Sequence, residues 1–310
     1  MEVEIAMVKN PSRGYLIGLG ATVLLSTTGI LISYLNRTYS LPALVLAFWR
    51  ALFVAFGLTV VFLATDRTRF QFPRSLWGFF LLYGLTLSVF NSMWTFSVQF
   101  NGAAVATVLA YSSPAITAVL SRFLLKEQIN QVKLISIVLS IGGTVLVSGA
   151  ATPSAWRLNA PGIAFGLLTG IFFAFYTMLG KTSSNKSIDS WTTLLYGFGI
   201  AACFLFLFTL IGNLFTRQQI LANYLWLGSA YSGWFVLFLL AVGPTIGGFG
   251  LYLVSLKYLS ATVANLIGAL EPVFTALWAY LLFHEQMTGI QLLGSLFIFA
   301  SVVMLRVSEK

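Results

Sequence analysis

The chain alternates long apolar runs with short polar segments. Two runs, 38–65 and 258–284, each contain a single charged residue, Arg50 and Glu271 respectively. Seven further runs contain no Asp, Glu, Lys or Arg: 14–36, 75–121, 134–156, 158–180, 190–216, 218–256 and 286–305. A helix needs about 20 mostly apolar residues to cross a bilayer, so this pattern predicts repeated membrane crossings.

The number of crossings follows from the lengths of these runs. The run 75–121 is about twice as long as one spanning helix needs, and Asn101-Gly102 near its middle is a turn signal. Splitting the run there gives ten helices and predicts an all-α integral membrane protein. The predicted helices are 14–35, 42–64, 75–99, 103–125, 130–149, 159–181, 190–213, 230–256, 260–283 and 287–306.

The composition excludes most soluble enzymes. Apolar residues make up 58% of the 310 residues and charged residues 8%, against roughly a quarter in a soluble domain. The single cysteine, Cys203, permits no internal disulfide, and the single histidine, His284, cannot form a multi-histidine metal site. We therefore expect no catalytic residues, no metal and no cofactor, and the chain is not predicted to be an enzyme.

The positive side chains indicate the orientation in the membrane. With the N-terminus in the cytoplasm, the inner segments contain thirteen Lys and Arg residues and the outer loops only three, Arg37, Arg157 and Arg217. This bias predicts a multi-pass protein of the plasma membrane, the bacterial inner membrane, with both termini cytoplasmic. It also accounts for the net charge of +9 without a clustered basic face, so no nucleic-acid partner is expected.

Two parts of the chain repeat each other. A shift of 158 residues places Pro114 on Pro272 and Glu127 on Glu285. Both glutamates precede the next predicted helix, where a carboxylate favours the positive helix end. The other identical pairs around them include Ala103/Ala261, Ala106/Ala264, Thr117/Thr275, Ala118/Ala276, Leu124/Leu282 and Gln128/Gln286.

The repeat predicts the domain organisation. The first five-helix unit is expected over 14–150 and the second over 159–306, joined by an outer linker, 151–158. Because five is odd, the second unit must enter the membrane in the opposite orientation. Inverted repeats place a substrate site near the bilayer midplane, which indicates transport.

Three motifs stand out within these repeats. They are Pro42 with Arg50 in the second predicted helix, the segment SRFLLKEQ, and its counterpart LEPVFTALWAYLLFHEQ. Together they resemble the drug/metabolite transporter superfamily, specifically its EamA-like ten-helix members, and within it the exporters of aromatic amino acids. The resemblance implies a central cavity between helices 1–4 and 6–9, with helices 5 and 10 at the periphery. It also implies export of amino acids or other small metabolites, without covalent chemistry, by a monomer or homodimer in the lipid bilayer.

Arg50 and Glu271 are predicted at depth in the membrane. A charged side chain there costs roughly 2.5–3.5 kcal/mol on insertion scales, so each must face protein or water. The guanidinium of Arg50 suits a substrate carboxylate and Glu271 suits an ammonium group, which makes the pair a candidate site for a zwitterion. The alternatives are a structural pair or a snorkelling Arg50, and a Glu271 that is protonated for helix packing or proton coupling.

Three prolines are candidate hinges. Pro114 and Pro272 are predicted near the centres of the fourth and ninth helices, where each frees the backbone carbonyl four residues earlier. A ligand, water or a neighbouring helix must satisfy such carbonyls in the membrane, and the alternative to a cavity-lining hinge is a simple kink. In the eighth helix, Pro244 with Gly247 and Gly248 indicates a gating element or, alternatively, tight static packing.

Further polar and aromatic residues are candidates for the cavity lining. Aromatic walls suit a flat substrate, although aromatic residues also form interfacial belts and helix contacts. The candidates are Tyr83, Asn91, Trp94, Tyr111, Ser112, Tyr176, Tyr252 and Asn265.

These features favour a secondary transporter that exports small metabolites, first of all amino acids including aromatic ones, by alternating access. No nucleotide-binding P-loop pattern is present, so direct driving by ATP within this chain is not expected. The alternatives are a conductive channel and a transporter of cationic drugs or other metabolites. A membrane-embedded enzyme is the weakest alternative, because it would need a cluster of acid, base or metal groups at one depth.

Overall fold

A computed structural model describes residues 11–70, 74–148, 160–216, 224–283 and 288–308 of the protein. Every regular element in these ranges is helical, which confirms the all-α prediction. The predicted linker, 151–158, and the residues His284 and Glu285 lie outside the described ranges. The α-helices, α1 to α13 in chain order, are Pro11–Leu25, Thr28–Tyr39, Ala43–Thr65, Trp77–Ala110, Ser113–Leu124, Gln131–Val147, Ala160–Asn185, Ser190–Thr216, Tyr231–Leu240, Gly250–Ser255, Ala261–Gly268, Glu271–Phe283 and Gly289–Ser308.

Short non-α segments join some of these helices. Two 3-10 turns, Arg67–Phe70 and Arg74–Leu76, lie between α3 and α4. A π-helical segment, Ala241–Phe249, joins α9 to α10. Eight helical stretches in the described ranges are long and apolar enough to cross a membrane, and α6 is a shorter apolar helix.

The long helix α4 contains two antiparallel arms. A Cβ atom placed on Gly166 of α7 would lie 2.6 Å from Cβ of Leu109 and 2.8 Å from Oγ of Ser97. A straight helix would separate Ser97 from Leu109 by about 18 Å. The chain therefore reverses direction between Ser97 and Leu109, the part of α4 that contains the predicted turn signal Asn101-Gly102. A second arm in α4 agrees with the prediction of ten crossings.

Two helix breaks lie at equivalent positions of the repeat. α4 ends at Ala110 and α5 begins at Ser113, and the break between α11 and α12 falls 158 residues further along. We predicted continuous helices kinked at Pro114 and Pro272, and the structure corrects this: each proline is the second residue of a restarted helix. A proline is favourable there because the first turn of a helix has no intrahelical partner for its N–H groups.

The predicted gating element in the eighth crossing is the π-helical segment Ala241–Phe249, with Pro244 inside it. π geometry is rare and often occurs at functional sites. A Cβ atom on Gly247 or Gly248 would lie within 2.9 Å of a leucine side chain of α1. α1 therefore packs directly on this segment, so a movement of the segment must displace α1.

The first predicted helix is divided into α1 and α2 at Ser26-Thr27. Both side-chain hydroxyls donate to backbone carbonyls three residues earlier, which competes with the helical hydrogen bonds. The break also binds α12, because Trp278 Nε1 donates to Ser26 Oγ at 2.9 Å and Thr275 Oγ1 to the Ser26 carbonyl at 3.0 Å. The break in α1 is therefore anchored to the helix that begins at Glu271.

The helices α6 and α13 pack on each other. A Cβ atom on Gly143 would lie 2.6 Å from the carbonyl oxygen of Gly294, and one on Gly294 would lie 2.7 Å from that of Gly143. The outer faces of both helices expose large apolar side chains, including Val138 and Leu296. These two helices are the fifth and tenth crossings, which the family resemblance placed at the periphery.

Charged and aromatic side chains mark the two ends of the bundle. At one end, which we call the cationic end, Arg69 lies 3.4 Å from Asp66 and 3.5 Å from Asp189. At the opposite end, Trp49 and Trp226 donate their indole N–H groups to backbone carbonyls. Tryptophan at this depth is typical of a membrane interface, and the cationic end is the one predicted to be cytoplasmic.

Candidate functional site

Arg50 of α3 is buried in the bundle, with 5% of its surface exposed. Its Nη2 donates to Oδ1 of Asn91 in α4. Asn91 Nδ2 in turn donates to the carbonyl of Leu87 at 2.8 Å, which fixes the orientation of the amide. Nε of Arg50 is buried and has no hydrogen-bond partner. The guanidinium is therefore only partly satisfied by the protein.

Glu271 is the first residue of α12 and lies at the break between the two halves of the ninth crossing. The hydroxyl of Tyr111, at the equivalent break after α4, donates to Oε2 of Glu271 at 2.7 Å. The N-terminal end of a helix carries a partial positive charge, which stabilises a carboxylate at this position. Tyr111 is buried, and Glu271 is partly exposed over the residue as a whole.

Arg50 and Glu271 make no direct ion pair with each other. The three ion pairs within 4 Å that the described ranges contain all lie at the cationic end. Opposite charges in a low-dielectric interior usually pair directly. Here each has a neutral partner, Asn91 or Tyr111, so the guanidinium and the carboxylate are presented separately. This arrangement can bind a molecule that carries both charges.

Asn265 of α11 is the centre of a buried polar network between the two repeats. Ser113 Oγ donates to Asn265 Oδ1 at 3.0 Å, and Asn265 Nδ2 donates to Thr117 Oγ1 at 2.9 Å. The same Nδ2 lies 3.4 Å from Thr177 Oγ1, which is 2.8 Å from the hydroxyl of Tyr252. The network links α5, α7, α10 and α11 next to both helix breaks.

Three of the predicted tyrosines form one aromatic cluster. The ring centroids of Tyr83 and Tyr176 are 5.2 Å apart, and those of Tyr176 and Tyr252 are 6.4 Å apart. Phe90 and Phe173 stack at 5.2 Å on the same cluster. The hydroxyls of Tyr83 and Tyr176 are both buried without a hydrogen-bond partner. The cluster is a stack of aromatic rings whose three tyrosines are fully buried, and it contains two unsatisfied polar groups.

Ser112 and Trp94 lie outside the contacts described above. Ser112 Oγ donates to the carbonyl of Leu109 at 2.6 Å, so its hydroxyl satisfies the helix break itself. Trp94 is partly exposed and takes part in none of the hydrogen bonds and ring contacts described for the other candidates. The structure thus brings Arg50 to Asn91 and Tyr111 to Glu271, while Trp94 stays outside these pairs.

The sequence analysis missed several residues of the Asn265 network and of the aromatic cluster: Ser113, Thr117, Thr177, Phe90 and Phe173. The repeat contained a signal for two of them, since Ser113 corresponds to Glu271 and Thr117 to Thr275. The two phenylalanines could not be distinguished among 28 in the chain.

Two charged residues, Glu127 and Lys181, bind the loop between α10 and α11 at the cationic end, and we call this pair the clamp. Glu127 accepts a hydrogen bond from the backbone N–H of Ala261 at 2.8 Å, and Lys181 Nζ donates to the carbonyls of Leu256 and Leu259, both at 2.8 Å. We expected Glu127 at the start of the helix that follows it, α6, but it caps α11 instead. The clamp therefore holds both ends of the loop between α10 and α11, each with the charge that the helix end favours.

Replacing Lys181 by methionine is expected to lower the free energy of unfolding by about 2 kcal/mol, because two carbonyls lose their donor in a largely buried position. Lys126→Met removes an exposed charge at the same end and is the control, with a change within about 0.5 kcal/mol. Thermal unfolding of both variants in one detergent measures the difference. Equal stabilities would show that Lys181 does not hold the loop.

Two further observations bear on the class of site. Within the described ranges, no three His, Cys, Asp or Glu residues lie close enough together to hold a metal ion. Two surface grooves lie on the sides of the bundle, away from Arg50 and Glu271.

The apolar spans of the described ranges, packed around buried charged and polar side chains, define a multi-pass helical membrane protein. The model of the EamA-like transporter family matches this chain twice, over 12–149 and 160–307. The chain belongs to the EamA-like transporter family.

Relatives of known sequence and structure agree with this class. An S-adenosylmethionine uptake transporter of Rickettsia bellii is 26% identical over 306 residues, 96% of each chain. The inner membrane transporter YicL of Salmonella typhimurium is 24% identical over 302 residues, again 96% of each chain. One crystal structure superposes with a TM-score of 0.77 at 17% identity, covering 96% of this chain and 97% of the other, which shows a shared fold. The family and these relatives are named as transporters rather than enzymes.

Proposed function

We propose that this protein is a secondary transporter that exports small zwitterionic metabolites, amino acids including aromatic ones, by alternating access. The observation that supports this best is Arg50, a buried guanidinium with one unpartnered N–H group, about two helical turns from the start of α3. Such a group favours a substrate carboxylate, which it can bind bidentately. Glu271 then binds the substrate ammonium, and the tyrosine cluster accepts an aromatic side chain.

The proposed transport cycle uses the two repeats, 14–150 and 159–306, as units that exchange conformations across the membrane. The helix breaks at Pro114 and Pro272 serve as hinges, and the π-helical segment with Pro244, Gly247 and Gly248 serves as a gate. In this proposal both termini lie in the cytoplasm, which the excess of positive residues in the segments on their predicted side supports.

Uptake of S-adenosylmethionine or a similar compound is the second candidate function. The relative from Rickettsia bellii that covers 96% of this chain has this name. S-adenosylmethionine carries an amino-acid end and an aromatic base, so it presents the same three recognisable groups as an aromatic amino acid. The two candidates differ in the size of the substrate and in the direction of net movement.

Reconstitution into liposomes tests the proposal. Loaded vesicles should release labelled phenylalanine or tryptophan in a saturable way, and excess unlabelled amino acid should compete. Preference for S-adenosylmethionine would select the second candidate. Continuous single-channel currents in a planar bilayer would indicate a channel instead, and preference for cationic drugs over amino acids would contradict the zwitterion site.

Ligand analogues resolve the roles of the two charged residues. Glu271→Gln keeps an acceptor for Tyr111 but removes the negative charge, so affinity for phenylalanine should fall about tenfold or more. Affinity for phenylpropionate, which lacks the amine, should stay unchanged in this variant. Tyr111→Phe keeps the charge and is the matched control, with a loss of about fivefold. Equal losses for phenylalanine and phenylpropionate in Glu271→Gln would refute an ammonium site at this residue.

A further inference from the structure

A lateral groove between α1 and α13 ends at an arginine. The groove has a volume of about 410 Å³ and is lined by apolar side chains that include Leu16, Leu19 and Val303. Leu16 is 72% exposed, so the groove opens towards the lipid. Ser12 and Arg306 close the groove at the cationic end, where α1 begins and α13 ends.

Among the described residues, a hydroxyl and an aromatic ring, rather than a carboxylate, hold Arg306 in its orientation. Its Nη2 donates to Ser12 Oγ, and its guanidinium carbon lies 5.2 Å from the centre of the Tyr15 ring. Arg306 takes part in none of the ion pairs found within 4 Å across the described ranges. Stacking on the ring leaves the edge of the guanidinium, with its remaining N–H groups, available at the end of the groove.

We propose that this groove binds an anionic phospholipid from the leaflet at the cationic end. The phosphate binds Arg306 and Ser12, and one acyl chain follows the apolar walls. From Ser12 to Leu19 the groove extends about 10 Å along α1. This is about two thirds of one leaflet of the roughly 30 Å hydrocarbon core, so the groove holds the part of the chain next to the headgroup.

The distribution of polar groups favours a lipid over other ligands. The polar side chains that line the groove lie at the cationic end, and the rest of the lining is apolar. A soluble metabolite would need polar partners along its whole length. A basic group between membrane helices on the cytoplasmic side is also the arrangement that binds anionic lipid headgroups in other membrane proteins.

Native mass spectrometry of the purified protein with added lipid tests this site. The wild-type protein should bind phosphatidylglycerol about fivefold more tightly than phosphatidylcholine, the effect expected of one basic residue near an anionic headgroup. Arg306→Gln should abolish this preference. Arg122→Gln removes an exposed charge from the same end and should retain it. Val303→Trp, which fills the groove, should weaken binding of both lipids.

Three outcomes would overturn the proposal. The first is an unchanged lipid preference in Arg306→Gln, and the second is unchanged lipid binding in Val303→Trp. The third is binding of glycerol phosphate as tight as that of phosphatidylglycerol. The last would indicate a site for a free anion. Thermal unfolding without added lipid shows whether each variant is folded. The lipid-binding measurement does not depend on which substrate the protein transports.

Discussion

Arg50→Gln is expected to weaken substrate binding by about 30-fold or more, because a buried charged partner of the substrate is lost. The same substitution should leave the unfolding temperature of the substrate-free protein unchanged or slightly higher. Arg50 has an unpartnered Nε and no carboxylate in contact, so removing its charge removes a desolvation cost. Glutamine still offers an N–H group to Asn91.

Ligand-induced stabilisation measures both effects at once. Phenylalanine should raise the unfolding temperature of the wild-type protein but not of Arg50→Gln. Arg37→Gln, at an exposed position near the end of α2, is the control and should behave like the wild type. If Arg50→Gln lowers stability and retains ligand affinity, Arg50 is a structural residue and the proposed carboxylate site is wrong.

Phenethylamine separates the two charged ends of the substrate. It lacks the carboxylate, so its affinity should be the same for the wild-type protein and Arg50→Gln. Phenylpropionate lacks the amine, and its affinity should fall in Arg50→Gln as strongly as that of phenylalanine. A different pattern would mean that Arg50 acts on the fold or on the gate rather than on the carboxylate.

Gly170→Ala is expected to destabilise the protein by about 1–3 kcal/mol through overpacking. A Cβ atom at Gly170 would come inside contact distance of Ser112 Oγ and lie 3.1 and 3.2 Å from the carbonyl oxygens of Leu109 and Ala110. These atoms belong to the helix break, where Ser112 is already hydrogen-bonded to Leu109. The break must therefore shift, and Tyr111 shifts with it.

Gly142→Ala is the matched control for this substitution. Gly142 lies in α6, and a Cβ atom there would have no neighbour within 4 Å. This variant should be unchanged or more stable by about 0.5–1 kcal/mol, since alanine favours a helix. Thermal unfolding in detergent compares the two. Equal stabilities would show that α7 does not depend on close contact with the break.

Much of the fold could be predicted because it depends on local properties of the chain. The lengths of the apolar runs predicted ten crossings, and the turn signal Asn101-Gly102 lies in the part of α4 where the chain reverses direction. The breaks were less predictable. Pro114 and Pro272 indicated where the breaks lie. They did not indicate that one helix ends and a new one begins there, because the ends of the helices depend on which partners the freed backbone groups find.

The candidate site was predictable in its residue types but not in its pairs. Arg50 and Glu271 stood out because charge is rare in these runs. Their partners did not, since Asn91 and Tyr111 are each one of many polar or aromatic residues at mid-helix. Glu127 shows the same limit, because its sequence position suggested α6 and its carboxylate caps α11, 134 residues away.

The sequence alone determined that this protein consists of apolar helices with two charged residues at depth and an internal repeat, because hydrophobicity, charge and identity are properties of single positions. Only the tertiary structure decided which polar groups meet. Polar groups within a bilayer must find partners inside the protein. Which partners they find depends on which helix faces pack together. At Gly166, α7 packs against both arms of α4, and at Gly170 it packs against the break between α4 and α5.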